Sequence, residues 1–356
     1  MSDKETKNST KEWFPEFYSL DFYQKRKKGK FRFKQTPGLY KYNLLCDTHC
    51  HLGMYEDIEW AFIRCAFHGI RFLACIVDCV DDGHATLKKI LDSYQNAQSR
   101  LNHVVESLKN STDKNINELY DEYGLYTIKT ETTPLLCVDK DSILNNPKLP
   151  ELRFIVGCHP HYTDKFDSEQ LDNLYEMAKH PLVCAIGEVG LDFYYDNSMK
   201  DSQIEAFKSQ IKVAQGLGLP LCLHMRDSHE LALQVLDDMH WNKSGVLLHC
   251  FTLGEDDIKP WIDNDCYIAF GGAATFKHSE NIKNAAKLVP KNKLLLETDS
   301  PYMTPEPLRG SKCYPDHILY TAQTLIQSFD CVLEDQKIEF LEQVKSNTEE
   351  FFKVKI

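Results

Sequence analysis

Eight short apolar runs between residues 42 and 299 constrain this chain more than any other feature. They are YNLLCDT (42–48), RFLACIVD (71–78), RFIVGCH (153–159), LVCAIGE (182–188), LPLCLH (219–224), GVLLHC (245–250), CYIAFGG (266–272) and KLLLETD (293–299). Each is near-continuously apolar rather than alternating, as strands buried on both faces are. Between most of them lies a helical pattern. In 201–218, Ile204, Phe207, Ile211 and Ala214 fall on one helical face and Gly218 supplies a stop. Residues 229–239 and 280–290 read the same way. Strands alternating with helices predict a parallel α/β architecture, and a count of eight favours a closed (β/α)8 TIM-type barrel over an open sheet.

The spacing breaks once, where residues 79–152 separate the second and third runs. Residues 84–110 form a long amphipathic pattern, and 84–150 as a whole reads as an insertion between strands 2 and 3. Residues 1–39 read as an N-terminal extension, and 40–356 as the barrel domain. Within the extension, KRKKGKFRFK (25–34) is strongly basic with Phe31 and Phe33 interleaved. A solvated arm is the plain interpretation; a strand-binding arm or a nuclear address is the functional one.

Composition narrows the classes. A hydrophobic fraction of 42% supports a buried core. No apolar run is long enough to span a bilayer, and the polar start MSDKETKNSTKEW lacks a signal core, so no membrane partner is expected. Thirteen cysteines, an odd number with no C-x-x-C pair, suit a reducing compartment. The cytoplasm is the expected location, with the nucleus as a second one if the basic segment is an address. A net charge of -12 argues against broad wrapping of nucleic acid. It leaves room for an enzyme that grips phosphate through metal ions.

Chemistry in such a barrel sits at the C-terminal ends of the strands. Those ends carry His49 and His51, then His159 and His161, Glu188, His224, His249 and Asp299. Side chains alternate along a strand, so 47, 49 and 51 share one face while Cys46 and Cys50 point away as packing residues. The set predicts a two-metal centre. His49, His51 and Asp299 would hold one divalent ion, His224 and His249 the other, and Glu188 would bridge them. Two such ions against two carboxylates leave about +2, which suits a phosphodiester; paired ions can activate water and clamp both oxygens of the displacement. Imidazole and carboxylate together are compatible with Mg, Mn or Zn.

The stretches DTHCHL (47–52), GCHPH (157–161), IGEVGLDFYY (186–195), HMRD (224–227), HCFTLG (249–254), GGAATFK (271–277) and LLLETDSPYMTP (294–305), the last followed by Arg309-Gly310, resemble in order the motifs of the TatD family of metal-dependent deoxyribonucleases, in the amidohydrolase-like superfamily. The resemblance implies a hydrolase that cuts DNA phosphodiesters, usually as an exonuclease on ends or single strands, with a divalent metal. It places the metal positions on the same six residues, His49, His51, Glu188, His224, His249 and Asp299. It puts His161 against the scissile phosphate, makes His159 a structural strand-end residue, and assigns Arg226 to phosphate or to a carboxylate. Asp192 is expected to orient its neighbours within the substrate-binding set, which also includes Arg309. Asp299 is the candidate general base, with Glu188 and His161 completing the catalytic group. The chain departs from the pattern at Tyr314, where the family usually carries glutamate. Phe193, Tyr194 and Tyr195 are candidates for base stacking or for core packing. Thr275 and Lys277 are candidates for the mouth after the seventh strand.

The expected substrate partner is DNA, with RNA as a second polymer, and the expected state is a monomer. Two other functions fit the same residues. One is an ester or amide hydrolase such as an aminoacyl-tRNA deacylase, since paired metals polarise a carbonyl as readily as a phosphoryl group. The other is a non-catalytic scaffold, which the intact set of six disfavours.

Overall fold

The eight apolar runs become eight parallel strands in chain order. A computed structural model describes residues 21–25, 31–35, 42–80, 83–110, 147–195 and 197–356. The first two segments, β1 (Asp21–Lys25) and β2 (Phe31–Gln35), pair as an antiparallel ribbon apart from the main sheet. Of the basic stretch 25–34, residues 26–30 lie outside the described residues, as do 111–146 of the expected insertion.

The barrel strands are β3 (Leu45–Cys50), β4 (Ile70–Asp78), β5 (Glu151–Gly157), β6 (Val183–Asp192), β7 (Leu221–Arg226), β8 (Val246–Leu248), β9 (Tyr267–Phe270) and β10 (Leu294–Leu296). Helices α1 (Ile58–His68), α2 (Gly83–Asn110), α3 (Ser168–Ala178), α4 (Lys200–Leu217), α5 (His229–Asp238), α6 (Glu255–Asp263), α7 (Glu280–Leu288), α8 (Ile318–Ser328) and α9 (Glu334–Phe352) alternate with or follow them. Gly218 ends α4 in left-handed backbone, as its sequence position suggests. The first part of the expected insertion is α2, whose Leu87, Ile90, Ala97 and Leu101 are buried in the outer core beside α1 and β4. It therefore serves as the crossover between β4 and β5.

Hydrogen bonding runs from β3 through β10, and the ring is drawn shut between its two ends. The His51 amide donates to the Ser300 carbonyl at 2.7 Å, and the Asp299 amide to the His49 carbonyl at 2.9 Å. Side chains complete the seam. The Thr48 hydroxyl donates to the Leu296 carbonyl at 2.9 Å, and the buried Asp47 carboxylate accepts from the Thr298 amide and hydroxyl. Closure matters because an open strand edge would leave its backbone groups unpaired.

Two apolar layers result. The larger lies between strands and helices; the smaller fills the barrel with Cys46, Phe72, Ala74, Ile155, Cys222, Leu247, Ala269 and Leu295 among others. Phe351 and Phe352 at the end of α9 belong to that inner layer, against Tyr267 and Phe72 near the strand starts. The bottom is thus plugged, and the strand C-terminal ends form the open face. One expectation needs correcting here: Cys46 faces the barrel interior rather than away from it. Between Asp47 and Cys50, β3 takes one residue more than β4, and this bulge resets the alternation. Cys46 remains a packing residue. Downstream of the bulge, Cys50 turns to the outer core.

Candidate metal centre

Glu188 stands at the middle of the open face because of a second bulge. β6 continues to Asp192, so Glu188 lies within the strand rather than at its end. The pairing with β7 shifts between Ile186 and Val189, which aims the Glu188 carboxylate at the barrel axis. Gly190 lets β6 and β7 come close: its φ is +144°, and a Cβ there would sit 2.2 Å from the His224 carbonyl oxygen. No larger residue fits that approach.

Five histidines converge on this carboxylate, each with a ring nitrogen within 3.7 Å. On one side, His49 Nε2 and His51 Nε2 lie 3.3 and 3.7 Å from Oε2. On the other, His224 Nδ1, His249 Nε2 and His159 Nε2 lie 2.7, 2.9 and 3.6 Å from Oε1. Asp299 Oδ1 closes the first side, 3.3 Å from His51 Nε2 and 3.9 Å from His49 Nε2. The structure thus brings His49, His51, Glu188, His224, His249 and Asp299 to one point.

The donor set fits divalent cations. Burial, with His249 beside it, lowers the His49 pKa, and burial pushes His159 down to about 3. These rings are neutral at pH 7, so a lone pair is available on each. His49 Nε2 is buried with no hydrogen-bond partner among the described residues, although a carboxylate oxygen is 3.3 Å away. Burial would lower the His224 pKa, but its hydrogen bonds to Asp192 Oδ2 at 3.2 Å and to Glu188 Oε1 at 2.7 Å raise it. A bound cation would take the place of the protons that His51, His224 and His249 hold toward Glu188 and Asp299. The groupings His49–His51–Glu188 and His159–Glu188–His224 each bring their ligand atoms within 4.8 Å of one another.

The other expected residues take these places. His161 is partly exposed and donates from Nε2 to Asp192 Oδ2 at 2.8 Å. Asp192 is buried beneath both histidines, and its Oδ1 accepts from the amides of Tyr194 and Tyr195. Burial would raise the Asp192 pKa, but hydrogen bonds from His224, Tyr195 and His161 hold it well below the usual carboxylate range. Both of its oxygens are engaged by neighbouring donors. Arg226 is exposed, with its guanidinium 3.9 Å over the Tyr194 ring and 4.7 Å from Tyr195. Arg309 is exposed and packs over Phe276 at 3.9 Å. Thr275 accepts the Glu306 amide, which ties the loop after β9 to the loop before Arg309.

Two further residues stand at the cluster: His159, expected as a structural strand-end residue, and Glu297, which sequence reasoning did not assign. His159 Nε2 lies 3.6 Å from Glu188 Oε1 while its Nδ1 accepts the His161 amide. Glu297 is fully buried, and its Oε1 lies 3.6 Å from His249 Nδ1. Its signal was available: it sits two residues before Asp299 and two after the inward Leu295, on the same strand face. With Asp192 and Glu297 counted, two divalent ions would bring the site to about neutral rather than about +2.

Comparison with known proteins identifies a family and a fold. Residues 101–353 match the model of the family described as TatD related DNase. The metal-dependent hydrolase YabD of Bacillus subtilis, itself uncharacterized, is 34% identical over 180 residues, covering 51% of this chain and 71% of that protein. The 3'-5' ssDNA/RNA exonuclease TatD of Salmonella typhimurium is 33% identical over 180 residues, covering 48% and 69%. Among solved structures, the TatD homolog YJJV from Escherichia coli superposes with a TM-score of 0.63 at 19% identity, over 88% of this chain and all of that one. A TatD family hydrolase from Entamoeba histolytica gives 0.64 at 18%, over 87% and 98%.

Proposed function

The chain belongs to the TatD-related DNase family of metal-dependent hydrolases, and on that premise we propose that it hydrolyses DNA phosphodiesters, as an exonuclease on single strands or ends, with two divalent ions. The observation that carries this reading is the Glu188 carboxylate, with one oxygen toward His49 and His51 and the other toward His224, His249 and His159. A carboxylate so divided is suited to bridge two cations about 3.5–4 Å apart. Bound there, divalent ions would lower the pKa of water and offset charge on the phosphoryl oxygens.

The chain's own residues would do the rest. Asp299 is the proton acceptor for the attacking water. Burial would raise its pKa, yet the His51 hydrogen bond holds it below the usual value, so it is ionised at neutral pH. His161, held through Nε2 by Asp192, would meet a phosphoryl oxygen through Nδ1, which donates when the ring carries both protons. Arg226 and Arg309 would meet phosphates with exposed guanidinium groups. RNA is a second candidate substrate, since the Salmonella relative is a 3'-5' ssDNA/RNA exonuclease by name. Among the described residues all twelve cysteines are free thiols, which suits a reducing compartment, and we place the protein in the cytoplasm on that ground. No helix among the described residues is long and apolar enough to cross a membrane.

The test is cleavage of end-labelled single- and double-stranded DNA by chelator-stripped protein resupplied with Mg, Mn or Zn. We expect metal-restored cleavage that His49→Ala, Glu188→Ala and Asp299→Ala abolish. Protein that binds two ions yet cuts no DNA would overturn the nuclease reading and direct attention to ester and aminoacyl-tRNA substrates.

A further inference from the structure

Large apolar side chains are seldom left in water without a purpose when they gather at one place. Of the ten exposed ones among the described residues, five ring the open face: Met54, Tyr162, Tyr194, Tyr195 and Tyr302. Four of them form two walls; the fifth, Tyr162, lies 6.3 Å from the His159 ring. Tyr302, 51% exposed, follows β10 and meets the His51 ring edge-on at 6.0 Å; its hydroxyl donates to Met54 Sδ at 3.5 Å. Tyr194 and Tyr195 follow β6 and are 58% and 45% exposed, with Tyr195 edge-on to His161 at 5.5 Å. In a ring of eight strands numbered β3 to β10, β6 lies across from β10, and β7 from β3. The two walls therefore face each other across the carboxylate and its histidines.

The second wall is fixed in place. The Tyr194 and Tyr195 amides donate to Asp192, which in turn holds His161 and His224. The two rings stand perpendicular at 4.8 Å, and the Arg226 guanidinium lies against both. A rigid aromatic pair beside a cation, next to a centre for phosphoryl chemistry, matches a planar base with a phosphate attached. Stacking of this kind tolerates any base, because each has a π face.

We propose that the two walls are nucleobase platforms, one for each nucleoside flanking the attacked phosphodiester, so that the centre takes an unpaired strand. This rests on the nuclease reading above. A paired duplex keeps its bases stacked on one another and cannot offer them to walls on opposite sides.

The experiment uses short single-stranded oligodeoxynucleotides with a base-free residue on one side or the other of the cleaved bond. With the parent protein, removing either base should lower kcat/KM about tenfold. In the pair Tyr194→Ala, Tyr195→Ala, one of those losses should vanish and the other persist; Tyr302→Ala should show the reverse. A change in folding would lower all rates together and leave the ratios intact, so the ratios are the readout. Variants that keep the full base dependence on both sides would overturn the platforms, as would a parent indifferent to both bases. A parent that leaves every oligonucleotide intact while hydrolysing a small ester removes the nuclease reading, and the platforms with it.

Discussion

Glu188 and Asp316 are both buried carboxylates beside imidazoles, but only Asp316 has a guanidinium. Arg64 Nε and Nη2 donate to its two oxygens at 2.9 and 2.6 Å, His68 Nδ1 lies 3.2 Å away, and all three side chains are fully buried. The Tyr314 ring covers the Arg64 guanidinium at 4.6 Å. Charge there is balanced within the protein. Around Glu188, among the described residues, no lysine or arginine lies within ion-pair distance, and five imidazoles compete for one carboxylate. Burying charge without a fixed partner is costly. The first cluster carries a permanent countercharge, whereas in the second the countercharge is either protonated imidazole or a cation bound from outside. Residue types alone do not separate a structural cluster from a reactive one; the presence of a permanent internal countercharge does. Tyr314, the departure from the family pattern, falls in the structural cluster.

The comparison predicts opposite responses to mutation. Asp316→Ala leaves Arg64 buried and unpaired and should cost about 3–5 kcal/mol of stability in urea unfolding. Activity per folded molecule should hold. A loss of less than about 1 kcal/mol would mean that the Arg64 pair is not holding α1 to the segment before α8. Asp192→Asn should do the reverse. It should lower metal affinity or turnover roughly 10–100-fold by loosening His224 and His161, with little change in unfolding. Calorimetric titration of the stripped protein with Zn or Mn checks it, and unchanged affinity with unchanged rate would sink the orienting role.

Acid should separate the clusters further, with a smaller effect. Burial, assisted by Arg64 and His68, pushes His317 down to about 3, whereas an unfolded histidine titrates near 6.5. Its folded pKa is depressed, so the unfolded chain binds the proton first. The His317 contribution is therefore full above about pH 6.5 and declines as pH falls toward 3. Asp316, held far below the usual carboxylate range by Arg64 against the opposing effect of burial, adds its own loss below about pH 4. From pH 7.5 through 6 to 5, the unfolding free energy of metal-free protein should change less favourably in the parent than in His317→Gln. That difference isolates His317 from the histidines whose pKa is raised. An equal change in that variant would assign the loss to other groups.

Much of the barrel was legible because burial on both faces writes a strand as a continuous apolar run. All eight strands lie where such runs occur, and α4, α5 and α7 follow their helical spacing within two residues. Glu188 and the five residues His49, His51, His224, His249 and Asp299 were legible because chemistry gathers at strand ends. What the sequence hid was the bulges. One in β3 turns Cys46 inward and seats His49 and His51; another in β6 places Glu188 within its strand. Strict alternation cannot reveal them, since a bulge arises from how two strands register rather than from either strand alone.

By itself, then, the sequence determined the strand count, their parallel order and the ligand types at their ends, for these follow from periodicity and local chemistry. Only the tertiary structure decided that His159 and Glu297 join the cluster, that Asp192 lies beneath it, and that two tyrosine walls oppose each other across it. Closing the ring brings β10 beside β3 and β6 across from β10, which unites residues as distant as His49 and Asp299. Local sequence carries no record of which positions that closure will bring into contact.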